Sequence, residues 1–216
     1  HADRWLGAYS SWWLHFLDKV QDLPDGPTYL AVAARSLGAY TLPRYPEVRE
    51  AFARTLNGQR GEEFRKALRE RLRSLDPTIR QGAAAILVSS DPRGEADALF
   101  VAVRSRAHWK LSDWHEWESF CLTLDFGPSV LEALKGRLDQ LERKSRVLAL
   151  VLLRKANFTL TTTHHAELEK DLTDHLNWRL AYENVVRDGF TAEASYRFQL
   201  EQLDATIEAA TRRARG

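Results

Sequence analysis

The chain has 216 residues, 44% hydrophobic and 28% charged, and a formal net charge of +1. This length can bury a full core in one domain or a short helical array, and the near-neutral charge gives no global attraction for a polyanion. No apolar run reaches the roughly 20 residues that cross a bilayer, and a single cysteine, Cys121, excludes an internal disulfide and fits a reducing compartment. Cys121 lies in Phe-Cys-Leu and reads as a small core residue. The chain starts at His1 and contains no Met, so it is expected to be trimmed or a fragment lacking its natural N-terminus, with no recognisable signal peptide.

Charge is distributed less evenly than its total suggests. Lys135 to Lys155 holds seven basic residues against two acidic ones, and Arg60 to Arg73 holds six against three. Such clusters can form a local cationic footprint, or be solvated helix faces.

In chain order, Trp5, Tyr9, Trp12, Trp13, Phe16, Leu17 and Val20 recur at helical spacing and predict an amphipathic helix with its aromatics buried. Leu23-Pro24-Asp25-Gly26-Pro27 stops it. A second helix is predicted over about 28–39. Then an internal repeat begins. Pro46-Glu-Val-Arg49 leads into Ala51 and Leu56, and Pro77-Thr-Ile-Arg80 leads into Ala83 and Leu87 thirty-one residues later. A degenerate third copy starts at Pro128 and lacks the arginine. Pro in the first helical turn costs no hydrogen bond, and Asp76 is the expected N-cap before Pro77. A repeated helix start at this period marks an α-solenoid and resembles HEAT repeats.

Further helices are predicted near 61–74, 78–89, 94–107, 113–124, 129–140 and 143–156. Thr159-Leu-Thr-Thr-Thr163 is β-branched and reads as a loop. Leu168, Leu172, Leu176 and Leu180 then mark one long helix ended by Gly189, and a last helix runs from Thr191 into the basic tail 212–216. No strand or linker is evident. The expected fold is one all-α domain over 1–216, a HEAT-like α-solenoid of antiparallel helix pairs with a concave face.

One stretch stands apart. Arg104 to Trp117 packs three Trp, two His, three basic and two acidic residues into fourteen positions. Trp109, Asp113 and Trp117 are four residues apart, so a continuous helix would align them. Alternatively, Asp113 with Glu116 forms a capping box over Trp109. Arg146 opens a very apolar helix, where it either faces a groove or pairs with an acid. Trp178 with Tyr182 and Val185 forms a stripe read as core by default. His165 and Glu169 lie one turn apart, as a metal pair would, but further ligands are not evident. Neither metal nor cofactor is expected.

The order of these features resembles the HEAT-like alkylpurine DNA glycosylases, the AlkD-like proteins of bacterial DNA alkylation repair. The similarity runs from Leu37-Gly38 and Pro46-Glu-Val-Arg49 through Phe64-Arg-Lys-Ala-Leu-Arg and Arg80-Gln-Gly-Ala-Ala-Ala. It continues with Trp109-Lys-Leu-Ser-Asp113, Arg146 at the head of its helix, and Trp178-Arg-Leu180. The chain departs from the family at His108-Trp109, where the family has a doubled Trp, and lacks the helix break expected before Trp178.

The resemblance implies a concave groove holding alkylated double-stranded DNA in a bacterial cytoplasm, at the nucleoid. Trp109 and Trp178 would contact the lesion's sugar and Asp113 would support the charge developing there, as catalytic residues. Arg146, Arg143, Lys144, Lys110 and Arg106 would grip DNA. The reaction would hydrolyse the N-glycosidic bond of a cationic 3- or 7-alkylpurine. Two other readings stay open: a non-catalytic HEAT scaffold that binds protein, with Trp109, Trp114 and Trp117 as contact or core residues, and a non-catalytic binder of branched DNA.

Overall fold

The computed structural model describes residues 2–37, 41–104, 117, 120–187 and 212, with the backbone alone over 2–9 and 175–187. Among these residues every regular element is helical and no strand occurs. Chain contacts define two compact units, His1–Arg137 and Leu138–Gly216.

The first unit contains α1 (Ala2–Val20), α2 (Gly26–Ala33) and a tight 3-10 turn over Ala34–Ser36. It continues with α3 (Thr41–Arg44), α4 (Pro46–Asn57), α5 (Gly61–Arg71), α6 (Pro77–Ser90), α7 (Ala96–Arg104) and α8 (Pro128–Lys135). The three prolines that mark the sequence repeat each begin a helix, α4, α6 and α8. Asp76 caps α6 as expected: its carboxylate accepts from the Thr78 N–H at 2.9 Å and the Thr78 hydroxyl at 2.6 Å. The predicted 61–74 helix ends earlier, at Arg71. Asp76 precedes a proline and must be extended, with ψ at 113°, so the chain leaves helical geometry ahead of it.

α6 is the hub of this unit. Gln81 to Val88 are all buried, as an apolar, alanine-rich sequence with no polar face requires. It packs against α4, α5, α7 and the Ala34–Ser36 turn. Gly82 makes the last of these contacts close, since a Cβ there would lie 1.9 Å from the Ala34 carbonyl oxygen. The predicted second helix, reaching Ala39, instead gives way after Ala33 to the 3-10 turn that Gly82 receives. α2 packs on α5, and α1 on α4.

α1 corrects one expectation. Trp13, Leu17 and Val20 are buried, but Trp12 is 46% exposed and stacks on Phe16 at 5.2 Å and 6°. Consecutive helical residues point about 100° apart, so with Trp13 turned into the core Trp12 lies at the edge of the buried face.

The second unit holds a 3-10 turn (Leu138–Gln140), α9 (Arg143–Lys155) and α10 (Thr162–Arg187). Val147 to Leu153 are buried without a break in α9, which packs on α10. α9 ends in a Schellman motif. Asn157 takes a positive φ of 61°, Phe158 N–H donates to the Leu153 carbonyl at 2.9 Å, and Asn157 N–H donates to the Arg154 carbonyl at 2.9 Å. The threonine-rich stretch is non-helical through Thr161, after which α10 begins. Thr161 and His164 cap that start reciprocally. His164 N–H donates to the Thr161 hydroxyl at 3.3 Å, and Thr161 N–H to His164 Nδ1 at 3.4 Å. Leu168 is buried and Leu172 half-buried, while the side chains of Leu176 and Leu180 and the predicted last helix from Thr191, Arg212 apart, lie outside the described residues.

Candidate functional site

In the first unit, a cleft of about 1070 Å³ opens beside α5, the turn before α7, and Arg137. Its anchor is Glu95, whose side chain is only 5% exposed. Arg65 and Arg69, one turn apart on α5 and so on one face, converge on it. Arg69 donates through Nε at 3.2 Å and Nη2 at 2.8 Å, a forked grip on both carboxylate oxygens, and Arg65 Nη1 lies 3.6 Å away. Arg69 also pairs with Glu62 at 2.8 Å, and Arg65 Nη2 donates to the Asn57 amide oxygen at 2.5 Å. A buried carboxylate is tolerable only with this much compensation. The hydrogen bond to Glu95 raises the Arg69 pKa above its ordinary value. Glu95 also immediately precedes α7, where negative charge suits the helix dipole.

The rest of the lining alternates in sign. Arg137 pairs with Asp97 at 2.7 Å and lies 5.1 Å over the Phe100 ring. Lys66, Glu70 and Arg73 are exposed along the α5 wall, and Leu72 and Phe100 line the same cleft. In all, four acidic residues (Glu62, Glu70, Glu95, Asp97) face the cleft with four basic ones (Lys66, Arg69, Arg73, Arg137). The sequence signalled the Arg60–Arg73 charge run but not the buried acid that organises it.

Of the residues expected to act on DNA, Arg146, Arg143 and Lys144, all in the second unit, can be placed. Arg146 Nε lies 3.0 Å from both Glu167 carboxylate oxygens, Nη2 lies 2.9 Å from one of them, and Nη1 donates to the Leu141 carbonyl at 3.3 Å. The hydrogen bond to Glu167 raises the Arg146 pKa. Of the two roles open to Arg146, this geometry is the ion pair. Arg143 is likewise held by Asp174 at 2.8 Å. Lys144 and Lys155 are exposed and Arg154 half-buried.

Trp109, Asp113, Lys110, Arg106 and Trp114 lie outside the described residues, as does the Trp178 side chain, whose backbone is part of α10. Of the Arg104–Trp117 stretch, Arg104 is exposed at the end of α7, and Trp117 is fully enclosed, tilted against Phe120 at 5.7 Å. Arg49 sits 5.4 Å over the Phe120 ring, whereas Arg80, its counterpart in the repeat, donates to the Ser74 carbonyl at 2.7 Å. Equivalent arginines thus serve different local contacts. Cys121 is buried. Among the described residues no cluster of three or more His, Cys, Asp or Glu could hold a metal ion, and no helix is long and apolar enough to cross a membrane. The chain matches no family model, no curated protein and no solved structure.

Proposed function

We propose that this chain is a HEAT-like helical-repeat module that serves as a non-catalytic scaffold for a protein partner. The observation that carries this reading is the charge balance of the α5–α7 cleft, where four carboxylates interleave with four cations. A polyanion entering it would meet acids it cannot satisfy, whereas a protein surface can present both signs. Supporting it are the proline-headed helices α4, α6 and α8 and the packing of α6 on α4, α5 and α7, features suited to stacked antiparallel pairs. Trp117 is a core residue, a role the scaffold reading already gives it.

A second reading, the alkylpurine DNA glycosylase, is favoured by the Trp109–Asp113 spacing and the seven cations of Lys135–Lys155. It is chemically coherent. Breaking an N-glycosidic bond creates cationic character on the sugar, which Asp113 would stabilise electrostatically and Trp109 and Trp178 through their ring faces. A cytoplasmic, nucleoid location belongs to this reading. Against it, Arg146 and Arg143 already hold Glu167 and Asp174, so phosphate would have to displace acids from them.

The test is release of 7-methylguanine from alkylated duplex DNA by the wild type and by Asp113→Asn, with thermal melting as the folding control. A scaffold gives no release from either protein. Release by the wild type that falls by orders of magnitude in Asp113→Asn would overturn the scaffold reading and establish the glycosylase.

A further inference from the structure

The cleft is not uniformly self-satisfied, and what it leaves open has a pattern. Arg69 is tied to both Glu95 and Glu62, and Arg137 to Asp97. Lys66, Glu70 and Arg73 line the same cleft, are exposed, and make no ion pair among the described residues. Lys66 and Glu70 stand four residues apart, on one helical face, and Arg73 follows in the turn just past the end of α5, its N–H directed at the Glu70 carbonyl at 3.5 Å. The wall therefore presents plus, minus, plus along α5 and just past its end.

This pattern discriminates between ligands. One phosphate or carboxylate reaching for both Lys66 and Arg73 would meet Glu70 between them. A run of phosphates would be repelled at the same point. A helix with an acid, a base and an acid along one face satisfies all three at once. Run antiparallel to α5, it would place its first acid on Arg73, a base three residues later on Glu70, and a second acid seven residues along on Lys66. Opposite charges at such flanking positions set partner choice and orientation between helices.

We propose that the α5 wall of this cleft is the docking site for a partner helix carrying acid, base and acid at positions i, i+3 and i+7. The proposal rests on the scaffold reading and names its partner's chemistry.

The test uses the full chain and two synthetic helical peptides in the same alanine–glutamine host. One carries Glu, Lys, Glu at i, i+3 and i+7, and the other carries Lys, Glu, Lys. Binding is read by fluorescence anisotropy at low salt, with a DNA duplex as a third ligand. The expected result is tighter binding of the Glu-Lys-Glu peptide by about tenfold, and inversion of that order in the triple variant K66E/E70K/R73E. Equal binding of the two peptides, or binding of neither, overturns the docking site. So does an unchanged order in a folded triple variant. Should that variant fail to fold, the wild-type order alone decides. Duplex binding that weakens steeply with salt would instead contradict the scaffold reading, so the two failures are distinguishable.

Discussion

Arg146 and Glu167 are joined side-on, with Nε 3.0 Å from both carboxylate oxygens and Nη2 2.9 Å from one, tying the start of α9 to the second turn of α10. Glu167 is only 15% exposed, so the pair is partly shielded from water and salt. Replacing Glu167 by Gln leaves the guanidinium with a weak partner. Chemical denaturation of Glu167→Gln is expected to show a loss of about 1–2 kcal/mol. The same variant is expected to gain no affinity for duplex DNA. A gain would show that Glu167 occupies a phosphate site.

Gly82 gives a sharper packing prediction. In an ordinary helix interior, Gly→Ala stabilises by about 1 kcal/mol. Here the new methyl would sit 1.9 Å from the Ala34 carbonyl oxygen, which is backbone and cannot swing aside. Gly82→Ala is expected to destabilise by about 1–3 kcal/mol, measured as a shift in denaturation midpoint. Stabilisation would mean that the α6 contact with the 3-10 turn is looser than described.

Asn157 closes α9 with a φ of 61°. Glycine adopts that conformation freely, while a β-branched side chain strains there. Asn157→Gly is expected to be neutral or slightly stabilising, and Asn157→Val to cost about 1–2 kcal/mol. Equal melting temperatures for the two variants would contradict the Schellman closure.

Asp76 carries a pH dependence. The Thr78 hydroxyl, and then its N–H, hold the carboxyl below the usual carboxylate range. A pKa lower in the folded than in the unfolded state means that the contribution is complete above the unfolded value of about 4. It is lost as pH falls through the lower folded one. Asp76→Asn keeps the cap without the charge. The melting-temperature gap between wild type and Asp76→Asn is therefore expected to shrink as pH is lowered from 5 to 3 in a thermal series, and a constant gap would contradict the assignment.

The helix starts were legible because they rest on local chemistry. Pro46, Pro77 and Pro128 accept only the first turn of a helix, and Asp76 reaches the next free N–H. Burial along α9 was legible because an unbroken apolar run has nowhere else to go. The side of α1 that faces inward was not, since a cluster of aromatics conceals which of Trp12 and Trp13 lies on the core meridian. Glu95 was missed for another reason. It follows Pro92-Arg93-Gly94, a turn-like setting that suggests a solvated acid. Its partners Arg65 and Arg69 stand 30 and 26 residues earlier, and pairing at that range is set by packing of elements. Arg146 left two roles open in the sequence, a groove or an acid, and only the position of α10 decides between them.

The proposed role as a protein scaffold is tested most directly by titrating the full chain against a fluorescent DNA duplex, undamaged and alkylated, over a salt series. A scaffold in which Glu95, Glu167 and Asp174 hold Arg69, Arg146 and Arg143, and Glu70 stands between Lys66 and Arg73, is expected to show no binding that varies systematically with salt. Tight binding whose log K falls linearly with log salt, at a slope of about −0.9 for each phosphate neutralised, would contradict it and return the protein to the DNA-binding class.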